Sequence, residues 1–471
     1  MFETIRNAFK IKEVRRKIFM TILFIVLFRI GCYITVPGLN DISSQMAAAA
    51  ETNGGMDIFG LFNAITGSAL SQGTLFSLGI SPYINASIIV QLLTVAIPAL
   101  ERMSKEGEEG REKINKITRW VTLALAIVSA VGVYLTLSRN EDYTYVNYSW
   151  FGGEGTPFYD FFANTAGGKW VMGIYVVIML VGGSMLVMWI GERITEYGVS
   201  NGISMIIFVG IISTAAQHLF TAIRGGIDGN ANNWAIVAIF VVGMILVFGF
   251  IVWVDGAERK IKVQYAKQVK GNKMYGGQST FIPIKVNASG VMPLIFAYAL
   301  LSFPSMLIQT FWADTNFAIW WTKYMTSNGG PVGVVVYNVA LAILIFVFAY
   351  FYSQIQFNPV EISRNIQNNG GFVTGIRPGR ETAEYLAKVV SRITLWGAVF
   401  LAIIAFVPSI LFSIPEWAQM GTSLQLVNSM SATGMLICVS VALEFNKALE
   451  NQILMRHYKG LLGSNSKGFL R

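Results

Sequence analysis

Ten times along this chain, 18 or more residues pass with almost no charge: 18–36, 80–100, 120–137, 170–190, 203–220, 234–254, 288–311, 332–352, 393–412 and 424–445. A helix of that length crosses about 30 Å of hydrocarbon. Only 13% of the residues are charged and 54% are apolar, against roughly a quarter charged in soluble domains. Charge cannot cover a folded surface made from this chain, so a water-soluble globular protein is excluded. The windows predict an all-α polytopic membrane protein with ten transmembrane helices.

An even number of crossings places both termini on one side, and the distribution of Lys and Arg chooses the side. With the N-terminus in the cytoplasm, the cytoplasmic segments hold 30 Lys and Arg and the outer loops hold 3. Both termini are therefore expected in the cytoplasm. The basic stretch before residue 18 is followed by no small-residue cleavage site, so it reads as a retained end and not as a secretory leader. Cys32 and Cys438 fall inside apolar windows and read as small buried hydrophobes. Arg29 is the charge deepest in a window, and it reads as a structural cation bonding backbone carbonyls at a helix interface.

Two kinds of segment break the simple pattern. Residues 57–74 are apolar but too short to cross, and they carry Gly60, Gly67 and Gly73 just before the second window. Such a stretch reads as a half-helix that enters from outside and turns back, which requires surrounding protein or a water-filled cavity. An external amphipathic loop satisfies the same spacing. The cytoplasmic loops 255–285 and 354–391 are long, basic and punctuated by Gly276-Gly277, Gly370-Gly371 and Pro378-Gly379. Mixed apolar and basic residues across 261–265 predict folded protrusions built of short strands. The outer loops near 138–168 and 312–330 are instead acidic to neutral and aromatic.

Several chemistries are missing. His218 and His457, the two histidines, belong to no metal-spaced cluster, and no GxSxG elbow, P-loop or paired carboxylate lies in the windows. An intramembrane enzyme needs a nucleophile with its base, or two aspartates, at membrane depth. No catalytic residue, metal or cofactor is expected. A secondary transporter shares broken helices, but it brings ionisable or polar ligands to the middle of several spans. Apart from Arg29 these spans lack ionisable groups at that depth.

Long motifs in order along the chain carry a resemblance. They are LGISPYINASIIVQLLT at 78–94, EGEEGREKINKITR at 106–119, VDGAERKIKVQYAKQV at 254–269, KMYGGQSTFIPIKVNASGVMPLIFA at 273–297, IQFNPVEISRNIQNNGGFVTGIRPGRETAEYL at 355–386 and QILMRHYKG at 452–460. Together they resemble the SecY family, the central subunits of the bacterial Sec protein-conducting channel. The departures are small: Ser81 and Lys262 stand where the family often has Met and Pro.

The resemblance implies two inverted five-helix halves, 1–222 and 223–446, with a cytoplasmic tail 447–471 and a re-entrant plug half-helix at about 57–72 that includes Phe59, Leu61, Phe62, Ile65 and Leu70. It implies a pore ring of Ile84, Ile88, Ile203, Ile207, Ile295 and Ile437. Ile84 with Ile88, and Ile203 with Ile207, are i,i+4 pairs on one helix face, although such pairs are common in any membrane helix. An apolar collar of this kind passes varied side chains and refuses ions by dewetting. A lateral gate is implied at Ser87, Gln91, Asn287 and Val291, where polar side chains of the second and seventh helices would meet. Gln91 equally suits a static contact. Arg259, Lys260, Lys262, Lys267, Lys270, Arg377 and Arg380 would dock the SecA ATPase or the RNA phosphates of a ribosome. The remaining implied partners are SecE, SecG, signal sequences, precursor polypeptides and membrane lipid, and the implied location is the bacterial plasma membrane.

Overall fold

The computed structural model of the chain describes residues 6, 8–37, 39, 66–67, 69–70, 72–138, 165–227, 231–265, 268–270, 273–275, 279–287, 290, 292–312, 315–326, 330–412 and 432–465. Each of the ten apolar windows carries a helix there. They are α1 (Lys12–Gly31), α2 (Ser81–Ala96), α4 (Glu108–Ser138), α5 (Ala166–Tyr197), α6 (Gly202–Ile227), α7 (Ala231–Asp255), α8 (Met292–Phe311), α10 (Gly330–Gln356), α12 (Arg380–Phe412) and α13 (Ala432–Asn465). Among the described residues, three shorter helices lie between them: α3 (Pro98–Lys105), α9 (Asn316–Tyr324) and α11 (Pro359–Asn368). Among the described residues, five helices are long and apolar enough to cross a membrane alone, and α2 with α3 makes a sixth if the bent pair counts as one span. The apolar parts of α7 and α8, Val241–Asp255 and Met292–Ser305, are shorter.

Two window boundaries move for identifiable reasons. The second window runs to 100, but its helix stops at Ala96 and the chain turns through 105° into α3. Pro98 causes this, because the residue before a proline is pushed out of helical geometry, and Ile97 is extended with φ −108° and ψ 114°. The first helix begins at Lys12, earlier than its window, and ends at Gly31. Arg29 thereby falls in the last turn of α1 and not in mid-span, where the negative end of the helix dipole favours a cation.

Helix packing groups α2, α4, α5 and α6 with α1, and separately α7, α8, α10, α12 and α13. The two groups touch through α6 against α7 and α13 on one side and through α2 and α4 against α8 on the other. The main core lies between them. Phe28, Ile80, Ile194, Ile206, Leu294, Phe296, Leu341, Ile345, Leu401 and Leu436 are buried in one continuous cluster. On the outside, α10 presents Val332, Val335, Val339, Ile343 and Val347 at three- and four-residue spacing, all exposed, as a lipid-facing stripe should be.

The strands expected in the cytoplasmic loops are present: β1 (Glu258–Tyr265), β2 (Gln268–Lys270), β3 (Lys273–Tyr275), β4 (Ser279–Lys285) and β5 (Gly371–Val373). They do more than form separate hairpins. β5 comes from the second loop and pairs antiparallel with β1, placing Val373 opposite Val263, so the two loops share one sheet of order β4-β1-β5. Ile261, Val263, Ile284, Ile366, Val373, Leu386 and Val390 give this protrusion its own core. Pro283 is tolerated because β4 is an edge strand.

Candidate functional site

The six isoleucines singled out from the sequence come from four helices, α2, α6, α8 and α13, and all lie in or against the main hydrophobic core. Ile84, Ile88, Ile207 and Ile437 are buried, while Ile203 and Ile295 are partly buried and packed against the core. On α2 the buried positions are Pro82, Ile84, Ala86, Ile88 and Val90. No polar group of these six side chains can hold an ion or a peptide in place. Towards the charged ends of α4 and α5, a cavity of about 570 Å³ is lined by Tyr83, Arg119, Glu192, Asn201 and Ile203, so it reaches one member of the cluster. Arg119 and Glu192 form a two-pronged ion pair across it, with N–O distances of 2.9 and 2.8 Å. Sequence reading missed this pair. Neither residue carries a local signal, because the partners are 73 positions apart.

Beside the cluster runs irregular backbone. Residues 72–80 are almost entirely non-helical, yet Thr74, Phe76, Ser77, Leu78 and Ile80 are buried. They pack against the middle of α5: a β-carbon at Gly183 would sit 1.8 Å from the Leu75 carbonyl oxygen. Non-helical backbone at this depth survives only if its polar groups are satisfied by protein. The hydroxyls of Thr74 and Ser77 both donate to the Ala69 carbonyl, at 3.0 and 3.1 Å, and Ser184 donates to the Gly79 carbonyl at 3.2 Å. Two backbone bonds, Val36 N–H to Gly73 and Leu75 N–H to Ile34, tie the segment to the extended stretch that follows α1. Leu70, just before this segment, is also buried. Phe59, Leu61, Phe62 and Ile65 lie outside the described residues.

Arg29 borders the same segment. Its guanidinium donates to Ser213 Oγ on α6, lies 5.9 Å from the centre of the Tyr33 ring, and occupies the space where Gly67 would carry a side chain. Gly67 has φ +69°, in the left-handed region that favours glycine. The expected bonding of Arg29 to backbone carbonyls is therefore replaced by a side-chain hydroxyl. The reason is the helix end: in the last turn of α1 the cation faces a neighbouring helix.

The polar residues expected to latch α2 to the start of α8 are paired otherwise. Asn287 donates to Asp255 Oδ1 at 3.1 Å, and both are buried. The 286–287 turn is held against α12, where a β-carbon at Gly397 would stand 2.6 Å from the Val286 carbonyl oxygen. This orients Asn287 towards α7. Gln91 accepts from the Tyr352 hydroxyl on α10 at 3.4 Å, and Ser87 is half-buried. α2 and α8 nevertheless pack directly against each other. Val291 lies outside the described residues.

On the protrusion, Arg259, Lys260 and Lys262 are exposed on β1 while Ile261 and Val263 point into its core. Lys260 pairs with Glu258 at 3.3 Å. Arg377 and Arg380 stand at the other loop's tip, each weakly paired along the chain, with Glu381 at 4.0 Å and Glu384 at 3.0 Å. The tip is shaped by Gly375 and Gly379, at φ +85° and +102°, and pinned by Thr382 Oγ1 to the Arg377 carbonyl and Ser363 Oγ to the Gly379 carbonyl. Lys270 lies in β2, and Lys267 lies outside the described residues.

These features can be set beside known proteins. The family model described as SecY matches residues 74–446. Curated relatives named protein translocase subunit SecY are 38% identical in Streptomyces galbus, over 98% of this chain and 100% of that protein, and 38% identical in Thermotoga maritima, over 100% and 99%. The protein of that name from Bacillus subtilis is 36% identical over 98% of this chain and all of its own. Among solved structures, a protein-conducting channel superposes with TM-score 0.62 at 19% identity, covering 93% of this chain and 92% of that one. Sec61 in a canine ribosome–channel complex superposes with TM-score 0.58 at 18% identity, with the same coverage. At such identities the structural matches speak for the fold.

Proposed function

The chain belongs to the SecY family of protein translocase subunits, a family of membrane-embedded protein-conducting channels, and we propose how its parts carry that function. The observation that supports the reading best is that six isoleucines from four helices lie in or against one hydrophobic core between the two helix groups, four of them buried. The six side chains form the constriction: aliphatic, deformable and dry when empty, they seal around a moving chain without hydrogen-bonding it. The packing of helices supports two halves, 1–222 and 223–446, that part between α2 and α8 and stay joined along α6, α7 and α13. The buried turns of 72–80 are the stem of a re-entrant plug that spans about 57–72 and blocks the outer side.

The gate opens where α2 meets α8, at Ser87, Gln91, Asn287 and Val291. On α2, Gln91 accepts from Tyr352 of α10 in the other half, and such a polar contact in a membrane contributes only about 0.6 to 2 kcal/mol, so an apolar signal segment wedged there offsets its loss. The chain performs no chemistry of its own, and its energy comes from a motor or from a ribosome that lengthens the polypeptide. Both dock on the shared sheet and on the Arg377–Arg380 tip, through Arg259, Lys260, Lys262, Lys267 and Lys270. SecE and SecG complete the channel, which sits in the bacterial plasma membrane with both termini cytoplasmic, as the 30-to-3 bias of Lys and Arg supports. Reconstitution with SecE, SecA and a signal-bearing precursor in vesicles tests this. The expected result is ATP-dependent protection of the precursor from protease, and a complete lack of protection with an assembled complex refutes it.

A further inference from the structure

The loop between α8 and α10 contains a short helix that the channel mechanism does not use. α9 carries Phe317, Trp320, Trp321 and Tyr324 at i, i+3, i+4 and i+7, so all four lie along one side of it. Trp321 turns inwards: its indole N–H donates to Ser305 Oγ on α8 at 2.9 Å, next to the buried Ala318. The C-terminal end of α9 rests on α10, where a β-carbon at Gly333 would lie 2.4 Å from the Lys323 carbonyl oxygen. The other three aromatics form a ladder, with ring centres 6.2 Å apart for Phe317–Trp320 and 5.8 Å for Trp320–Tyr324. Phe317 and Trp320 remain 53% and 48% exposed. Such large apolar surface on a helix held rigidly by its neighbours needs an occupant.

Topology and continuity identify the occupant as lipid. α8 starts and α10 ends at the basic cytoplasmic loops, so α9, joining their other ends, lies at the opposite membrane face. Phe311 and Trp312 at the end of α8 are exposed too, and α10, on which α9 rests, bears the exposed stripe from Val332 to Val347. Trp and Tyr favour the headgroup level, where an apolar ring and a polar edge are both satisfied. Asn316, Thr322 and Lys323 are exposed on the other side of the helix, which also carries Ile319, 62% exposed.

We propose that α9 is an interfacial anchor whose Phe317, Trp320 and Tyr324 face is seated in the headgroup and upper acyl region of the outer leaflet. This rests on the membrane topology adopted above. By way of Trp321 and Ser305 the anchor holds the outer part of α8, beyond Pro304, while the inner part carries Ile295.

Spin labels on Phe317→Cys, Trp320→Cys and Lys323→Cys, each in the full chain in phosphatidylethanolamine–phosphatidylglycerol vesicles, test the seat. The natural thiols Cys32 and Cys438 are buried, and the unsubstituted chain supplies the labelling background. Labels at 317 and 320 are expected to collide more with lipid-dissolved oxygen than with an aqueous nickel chelate, and the label at 323 the reverse. Equal access of the chelate to all three overturns the anchor, as does shielding of 317 and 320 from both relaxers, which means that protein covers them. Either of the two aromatic positions suffices if the other variant does not assemble. A membrane-impermeant thiol reagent applied to Lys323→Cys separates the premise: reaction only from the side of the basic loops refutes the topology and leaves the depth result standing.

Discussion

Replacing Ile84, Ile207 and Ile437 by glycine removes one ring side chain from each of three helices, α2, α6 and α13. They are 8%, 3% and 5% exposed, so nearly all of each side chain is out of water while the cluster is closed. Opening for a polypeptide draws the helices apart and wets these surfaces. Burying an isoleucine is worth about 1.5 to 3 kcal/mol. If opening surrenders half of that, each truncation removes about 1 kcal/mol of closed-state cohesion and the triple variant about 3 kcal/mol. At 1.4 kcal/mol per decade the open population rises about fivefold per site and about a hundredfold for all three. The helix-propensity cost of glycine, about 1 kcal/mol per site, acts on both states and cancels. Single-channel recording of resting channels in planar bilayers reads the effect as ion conductance. Ile343→Gly, on the exposed stripe of α10, controls for loss of helix propensity and should conduct no more than the parent. Unchanged resting conductance of the triple variant, with normal assembly, would falsify the sealing role.

Three further outcomes are expected. Arg377→Glu should weaken motor docking by about a hundredfold or more, and slow translocation, without loss of membrane insertion, because a reversed charge at a docking surface meets a like charge at a cost of several kcal/mol; motor binding to inverted vesicles checks it, and normal binding with normal transport makes Arg377 a topological charge only. A cysteine pair at Ser87 and Val291 should block transport with a short crosslink and restore it with a long flexible one, since a disulfide holds Cα atoms within about 7 Å; equal transport with both linkers places the exit elsewhere. Gly183→Val should lower stability by about 1 to 3 kcal/mol or more, because its side chain collides with the Leu75 carbonyl; thermal unfolding in detergent reads this, and Gly182→Val, next along α5 with nothing within 4 Å of its β-carbon position, should be close to neutral.

The ten helices, their order and the strands of the cytoplasmic loops were legible in the sequence because each rests on local physics. Uncharged length sets a crossing, and alternating apolar and basic residues such as Ile261 and Lys262 set a strand. The pore residues were named through their motifs, since isoleucine pairs at helical spacing occur in every membrane helix. Tertiary structure decided what no window contains. It joined β5 to β1 across more than 100 residues, turned Asn287 to Asp255 and away from α2, and set Arg119 against Glu192. It also gave the carbonyls of Ala69 and Gly79 their hydroxyl partners, and so helped an irregular chain to lie in the middle of a helical bundle. Each of these depends on which helix faces which. That choice is made by whole surfaces packing together, and hydrogen bonds then form between whichever groups the packing has brought within 3 Å or so of each other.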